Sequence, residues 1–492
     1  MNKKISVLIA AILTLSTMLS GCGSSKTKVT TSENYKPYQL DWYVVGSGTQ
    51  ADMSKVEEQA DKLVSDLNVQ LKMHIFSWGD YNSKIQTMIA ANEKIDLLYT
   101  CTWAANIFDY VRKGVLIDIT TLAPKYAPDA VAALKNGFWE FNRIGGKSYS
   151  LSTNKEKAAQ MGYEFNKNLV DKYKFDITKV KSVDDLDPML KTVKQNEPTI
   201  YPIEAGGGLV GLGTMNDEKL ASDLVTLPHD STSNNFVLSV DNPNYIYMLN
   251  KARTYYNLGY IRKDSATITD VTADRKAGKN FAMFDSLKPG KDAEVSSSSG
   301  VPVVQQNIGT PFIRTYDMIG GMGIPKTCKD PNRVLMFYNR MYSDPKLTNL
   351  IDFGIEDTHY VVKSPGIIDF APATDSGKKS GYNPGTPWMY GDQFKSYLFT
   401  NEDPQKWVKF KDFNDSAVKL KDTGFVFDDE SVKNEIATCV NVQKEFDATL
   451  NSGTVDPTTT LPKYKAKLIV AGANKILDEV NKQYKAWQST QK

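Results

Sequence analysis

The chain has 492 residues, 59 of them Lys or Arg and 57 Asp or Glu, for a formal net charge of +2. A balance that close, with no basic tract, excludes an electrostatic grip on a phosphate backbone, so nucleic acid is not an expected partner. The three histidines (His74, His229, His359) are scattered, and the cysteines after Cys22 (Cys101, Cys328, Cys439) show no CxxC spacing. They read as buried free thiols rather than a zinc site or a disulfide.

At the N-terminus, Lys3 and Lys4 precede an apolar run from Ile5 to Leu19, then Ser20, Gly21 and Cys22. About fifteen apolar residues are too few for a permanent membrane span and suit a signal-peptide core. Leu19-Ser20-Gly21-Cys22 resembles the lipobox of bacterial lipoproteins. That resemblance implies removal of residues 1–21, a lipid on the Cys22 thiol, and attachment to the outer face of the cytoplasmic membrane. Residues 22–36 are mostly Ser, Thr, Lys and Asn without apolar periodicity and read as a flexible tether. The remaining roughly 450 residues, from about Pro37, suffice for two or three domains.

The globular part opens with a strand at Leu40 to Val45, broken by Gly46-Ser47-Gly48. Ser54 and Glu57 make a capping-box pattern ahead of Val56, Ala60, Leu63, Val64 and Leu67 at helical spacing. Val69, Leu71, Met73 and Ile75 alternate with Gln70, Lys72 and His74, which predicts a second strand. A helix through Tyr81, Ile85, Met88 and Ile89, a strand from Ile95 to Tyr99, and a helix from about Ala104 to Arg112 that Gly114 ends complete the rhythm. Strand and helix alternating with short links predict right-handed crossovers and a parallel sheet. Ligands of such sheets sit beyond the strands' carboxyl ends, here residues 46–50, 77–80 and 101–106. Two of these loops carry a tryptophan, Trp78 and Trp103, whose flat faces suit the C–H face of a sugar ring while neighbours such as Ser47 and Asn106 bond hydroxyls. Trp42 and Trp139 read as core.

From Tyr81 to Thr120 the chain carries Lys84, Met88-Ile89-Ala90-Ala91, Asp96-Leu97-Leu98 and Gly114-Val115-Leu116-Ile117-Asp118. Further on come Gly145-Gly146-Lys147-Ser148-Tyr149, Phe165-Asn166-Lys167 with Leu169, and Ala277-Gly278-Lys279-Asn280-Phe281-Ala282-Met283. Together these resemble the family 1 extracellular solute-binding proteins of ABC importers. Gly354-Ile355-Glu356, His359-Tyr360, Gly391-Asp392-Gln393-Phe394, Phe413-Asn414 and Gly424-Phe425 resemble a lipoprotein subset with a C-terminal region of unsettled role. Two departures touch the hinge: Ser150-Leu151-Ser152 stands where Pro is expected, and Phe165 where Tyr is usual. The resemblance implies an α/β fold of the type II two-lobe periplasmic-binding-protein class. Lobe 1 would take residues 37–152 with a return segment at about 310–360, lobe 2 residues 153–309, and a mostly helical C-terminal region residues 361–492. It also implies a monomer without cofactor or enzymatic activity, which traps a sugar or oligosaccharide by hinge closure and delivers it to membrane permease subunits.

In the second half, Ser182 and Asp185 precede Leu186, Met189, Leu190 and Val193, a capped helix, and Phe281 to Phe284 read as a strand leading to Asp285 at the cleft. Gly320 to Pro325 reads as a crossing between lobes. Asp330 and Pro331 start a helix with Val334, Leu335, Tyr338 and Met341 on one face. Two long C-terminal helices follow, one through Val432, Ile436, Val440 and Leu450, the other through Ile469, Ile476, Leu477, Val480, Tyr484 and Trp487. The candidate ligand-binding set is Ser47, Trp78, Trp103, Asn106, Asn154, Glu156, Asp285 and Trp388, the last near Asp392 in a Gly- and Pro-rich loop. Gly206, Gly208 and Gly211 spell GxGxxG but Gly213 interrupts the helix that motif needs, and Ser25 to Lys28 and Ser416 to Lys419 match SxxK without a Lys-Thr-Gly partner. Two alternatives differ in class: a surface-anchored glycoside hydrolase, which two carboxylates across a cleft would suffice to make, and a sugar-binding sensory co-receptor.

Overall fold

A computed structural model describes residues 35–490 except 136, 205–207, 230–233 and 373–380. Cys22, the tether up to residue 34, Ser25 and Gly206 therefore lie outside the described residues. The chain separates into a unit at Met1–Lys36 and a unit at Pro37–Lys492, and the two lobes belong to the second.

The first lobe is built on strands Tyr38–Gly46, Val69–Ser77 and Leu97–Cys101, all parallel, with Tyr38–Gly46 in the middle. Val69–Ser77 is the edge strand, and its alternating buried and exposed residues follow from having one covered face. Helices Met53–Leu63 and Tyr81–Ala90 make the crossovers. The first does not use the capping box its sequence suggests. Asp52 is the N-cap without a side-chain cap bond, and Glu57 turns to the adjoining strand, where its buried carboxylate accepts from the Met73 amide at 2.8 Å and Lys72 Nζ at 2.8 Å. A buried carboxylate needs charged or amide donors, and the strand supplies both. Trp42 is fully buried, with Phe337, Tyr338 and Tyr390 edge-on around it.

Gly320–Gly323 runs antiparallel to Leu97–Cys101 and is followed in the sheet by Ser150–Leu151. The sequence suggests this strand as the crossing itself; the crossing instead occupies residues 314–319, between the second lobe's Val303–Ile313 and this strand. Gly321 has φ of 137°, and a Cβ there would lie 2.1 Å from the Leu151 carbonyl oxygen, so only glycine lets the return strand enter this sheet.

The second lobe's sheet centres on Ala159–Asn166, with Asn280–Leu287 and Val303–Ile313 antiparallel on its two sides. Tyr201–Ile203 and Val418–Lys419 extend the sheet at its two edges. Tyr163, Phe165 and Phe281 share one core with Phe425, Ile436, Ile476, Val480 and Tyr484. The C-terminal helices thus complete the second lobe's core, whereas Tyr382 and Tyr390 pack on the first lobe. There are three such helices, Lys433–Asn451, Pro457–Val470 and Ala473–Thr490, because Gly472, at φ of 102°, ends the run that the apolar spacing joined through Ile469.

Among the described residues, three segments pass between the lobes: residues 152–158, 314–319 and 400–405, the last leading into helix Lys406–Ser416. They are tied to their surroundings. Asn414 Oδ1 accepts from the Lys157 and Ala158 amides at 2.6 and 3.1 Å. Among the described residues, no helix is long and apolar enough to cross a membrane.

Candidate functional site

Two of the seven tryptophans are exposed, Trp78 at 40% and Trp103 at 52%, and these two stack on one another. Each follows a parallel strand of the first lobe at its carboxyl end. Their ring centres are 5.8 Å apart with planes inclined by 26°. Trp388, carried by the short turn Pro387–Met389, closes the group at 6.3 Å from both. Tyr99, buried in the strand below, presents its ring to Trp103 and Trp388. The result is an aromatic wall of three tryptophans. Apolar faces exposed together and rimmed by polar groups make this a candidate interaction site.

The loops are held so that the rings cannot collapse into the core. Asn82, on helix Tyr81–Ala90, accepts from the Ala105 amide at 2.7 Å and donates to the Trp103 carbonyl at 3.3 Å, tying the Trp103 loop to the element that follows Trp78. Ala105 takes a left-handed φ of 42° in this turn. Asn106 is the N-cap of helix Ile107–Arg112, accepting from the Asp109 amide and donating to the Thr102 carbonyl at 2.8 Å. The Trp388 loop is pinned by Ser47, whose hydroxyl donates to the Asn383 carbonyl at 2.7 Å and whose amide donates to the Pro384 carbonyl at 3.2 Å. Asn154 donates to Asp392 Oδ1 at 2.9 Å, and its backbone pairs with Gly391 and Gln393 on either side. Ser47, Asn106 and Asn154 therefore hold the loops that carry the wall, and their hydrogen bonds run to protein atoms.

Charge enters beside the wall. Lys155 Nζ stands 5.2 Å from the centre of the Trp388 ring and 3.5 Å from Glu156. Burial pushes the Glu156 carboxyl upward, but the ammonium groups of Lys155 and Lys288 outweigh it and hold the group below the usual range. Burial draws Lys288 below its ordinary value against the opposing pull of Glu156 and Glu294. Asp285, opposite Gly162 in the second lobe's sheet, pairs with Lys291 at 3.4 Å. Next to it, Glu164 is fully buried, and burial, aided by Asp285, pushes its carboxyl up to about 8.

The lobes meet on both flanks of the wall. A Cβ on Gly79, in the Trp78 loop, would lie 3.5 Å from Thr269 Oγ1 and 3.6 Å from Asp270 Cβ of the second lobe. On the other flank Arg112 pairs with Asp429. Beside that pair a small cavity of about 30 Å³ is lined by Asn106 and Phe108 from the first lobe and Ala221, Phe425 and Phe427 from the second. That volume has room for about two water molecules, less than a sugar ring needs. Among the described residues, no group of three His, Cys, Asp or Glu side chains is placed to hold a metal ion.

Of the eight residues singled out from sequence, the structure brings Trp78, Trp103 and Trp388 into one wall and sets Glu156 next to it through Lys155. Asp285 lies in the second lobe's sheet with Lys291. Lys155 and Tyr99 were missed. Lys155 sits between Asn154 and Glu156, both singled out, and Tyr99 alternates with buried strand positions that read as core alone.

The chain is 26% identical over 495 residues to a carbohydrate ABC transporter substrate-binding protein of Streptococcus pneumoniae serotype 4 (strain ATCC BAA-334 / TIGR4), covering 98% of both. Among solved structures it resembles the N-glycan transport solute binding protein NgtS of Streptococcus pneumoniae in complex with Man1GlcNAc, with 24% identity and a TM-score of 0.81. That match covers 91% of this chain and 98% of the other. The Streptococcus pneumoniae ABC-transporter substrate binding protein FusA in complex with kestose matches at 14% identity and a TM-score of 0.58, over 92% of this chain and all of the other. Residues 421–489 match the model of a domain of unknown function, DUF3502. Residues 47–345 match the model of the bacterial extracellular solute-binding proteins, and the chain belongs to that family.

Proposed function

We propose that this chain is the substrate-binding component of an ABC importer, capturing a sugar or oligosaccharide between its lobes and handing it to a membrane permease. The observation that carries the reading is the wall of Trp78, Trp103 and Trp388 at the strand ends, with Lys155 of the first crossing over the Trp388 ring. Flat apolar faces beside hydrogen-bonding and charged groups match the alternating C–H and O–H surfaces of a pyranose. The relative named as a carbohydrate ABC transporter substrate-binding protein, similar along nearly the whole chain, supports it.

The mechanism is a binding equilibrium. A ring laid on the wall touches the first lobe in any state and gains the second lobe's groups only when the lobes approach. Its differential affinity therefore shifts the population toward closure. Three rings in the wall suit a ligand of more than one sugar unit. The protein is a monomeric binder without turnover or cofactor, anchored through a lipid on Cys22 at the outer face of the membrane.

Calorimetric titration of the full chain with mono- and oligosaccharides, with chromatography of each mixture afterwards, tests the reading. Saturable binding with the saccharide recovered intact is the expected result. Binding of no saccharide overturns the sugar assignment, and products of bond cleavage overturn the assignment as a non-enzyme. A Cys22→Ala chain that still carries lipid overturns the anchor.

A further inference from the structure

A line of six alternating charges runs from the aromatic wall into the crossings. Lys155, over the face of Trp388, is 3.5 Å from Glu156. Glu156 is 3.4 Å from Lys288, and Lys288 3.3 Å from Glu294. Glu294 is 2.7 Å from Lys406, and Lys406 2.5 Å from Glu402. The six sum to zero charge. Lys288, Lys406 and Glu402 leave 7, 3 and 5% of their side chains exposed, so most of the line is out of water. Its two ends lie in different crossings: Lys155 and Glu156 in residues 152–158, Glu402 and Lys406 in the passage from residue 400. Lys288 and Glu294 of the second lobe join them.

Stability alone does not account for such a line. Desolvating six ions opposes folding, and well-packed apolar residues in place of buried pairs are often neutral or better; the best-attested use of a buried ionic group is to fix one arrangement among several. The separations widen toward the wall, from 2.5 and 2.7 Å at the Glu402 end to 3.4 and 3.5 Å at the Lys155 end. Lys155 is also the most exposed member, at 27%. Its ammonium has three donors, and Glu156, shared with Lys288, is its ion-pair partner at the long end of that range.

We propose that Lys155 is a ligand-contacting residue that donates to oxygen atoms of the sugar ring seated on Trp388, and that the Glu156–Lys288–Glu294–Lys406–Glu402 line ties its position to the crossings, so that ligand contact and lobe closure are coupled. This rests on the sugar reading above. A donor acquired from the line changes the charge balance at Glu156, and the change is felt where the second lobe's Lys288 and Glu294 meet the third crossing. Glu156, Lys288, Glu294, Lys406 and Glu402 are positioning residues in this scheme.

The test is calorimetry of the full chain with the tightest saccharide of the panel, for Lys155→Met, Glu402→Gln and the double variant, with Lys411→Met as an exposed control on the same helix as Lys406. Glu402→Gln is chosen because it can keep the acceptor for the Phe399 amide and leaves the Lys406–Glu294 pair in place. Lys155→Met is expected to weaken binding about tenfold, Glu402→Gln about threefold although it lies at the far end of the line, and the double variant by less than the product of the two. An unchanged affinity for Lys155→Met, or single effects that multiply in the double variant, overturns the coupling while leaving the sugar reading intact. If the wild type binds no saccharide, the sugar reading falls. The line is then judged by X-ray scattering of the ligand-free chain: an altered scattering profile for Glu402→Gln upholds the tie to the crossings, and a profile identical to wild type overturns it.

Discussion

Replacing Trp103 with alanine separates affinity from stability. Trp103 leaves 52% of its surface exposed, and a tryptophan offers up to about 250 Å², so roughly 130 Å² is free to receive a ligand. A pyranose covering about 100 Å² of it contributes ~2.5 kcal/mol at about 25 cal/mol per Å². Some of that area remains available on Trp78 after the substitution, at 5.8 Å between ring centres, which brings the expected loss to about 2 kcal/mol. At ~1.4 kcal/mol per tenfold, the dissociation constant should rise roughly 30-fold. The fold should hardly notice, because half of the ring already faces solvent and its stack on the exposed Trp78 is at the surface: less than ~1 kcal/mol in urea unfolding. Trp42→Ala makes the contrast, since it empties a fully buried site ringed by Phe337, Tyr338 and Tyr390 and should cost ~3–5 kcal/mol. Calorimetry and urea midpoints on the two variants check both numbers. An unchanged dissociation constant for an intact Trp103→Ala chain would refute the wall as the binding surface.

Trp388→Ala should weaken the same saccharide by about tenfold, and its combination with Trp103→Ala by less than the product, because the two rings pack at 6.3 Å; a titration series reads this directly. Gly391→Ala places a Cβ 2.2 Å from the Met341 carbonyl oxygen at a left-handed φ of 48°, next to the Trp388 turn. It should cost ~2 kcal/mol or more in urea unfolding and displace Trp388 enough to lower affinity as well. Burial, then Asp285, pushes the Glu164 carboxyl up to about 8 from an ordinary 4.5, so the folded chain holds this proton more tightly than the unfolded one. Its stabilising contribution is complete below about pH 4.5 and is lost as pH rises through 8. Glu164→Gln, neutral throughout, should flatten the fall in urea midpoint between those values; identical slopes for the two chains would contradict this.

The first lobe's parallel strands were legible because Val69 to Ile75 alternates strictly and Val56 to Leu67 repeats at helical spacing, two periods that a local window contains. Trp78 and Trp103 followed from being aromatic at the carboxyl ends of those strands. Trp388 could be named from its Gly- and Pro-rich loop, but its place beside the other two depends on Ser47 and Asn154 drawing residues 383–393 to the first lobe, pairings between distant segments that carry no periodic signal. Ser47, Asn106 and Asn154 are polar residues at loop ends, and polarity alone does not distinguish a side chain offered to a ligand from one bonded to its own backbone. Lys155 was invisible for the converse reason: a lysine beside a glutamate reads as solvated until Lys288 and Glu294 are seen to bury that glutamate's partners. The division of the C-terminal region between the lobes was not legible either, since Tyr390 and Tyr484 look alike in sequence and pack on different cores.

On this reading a saccharide lies on the tryptophan wall while both lobes contact it. A structure of the full chain with the tightest saccharide of the panel tests it most directly. A sugar ring is expected stacked on Trp103, with a second unit at Trp388 within hydrogen-bond reach of Lys155 and in contact with groups of the second lobe. A saccharide bound elsewhere, with the three rings still bare, would contradict it.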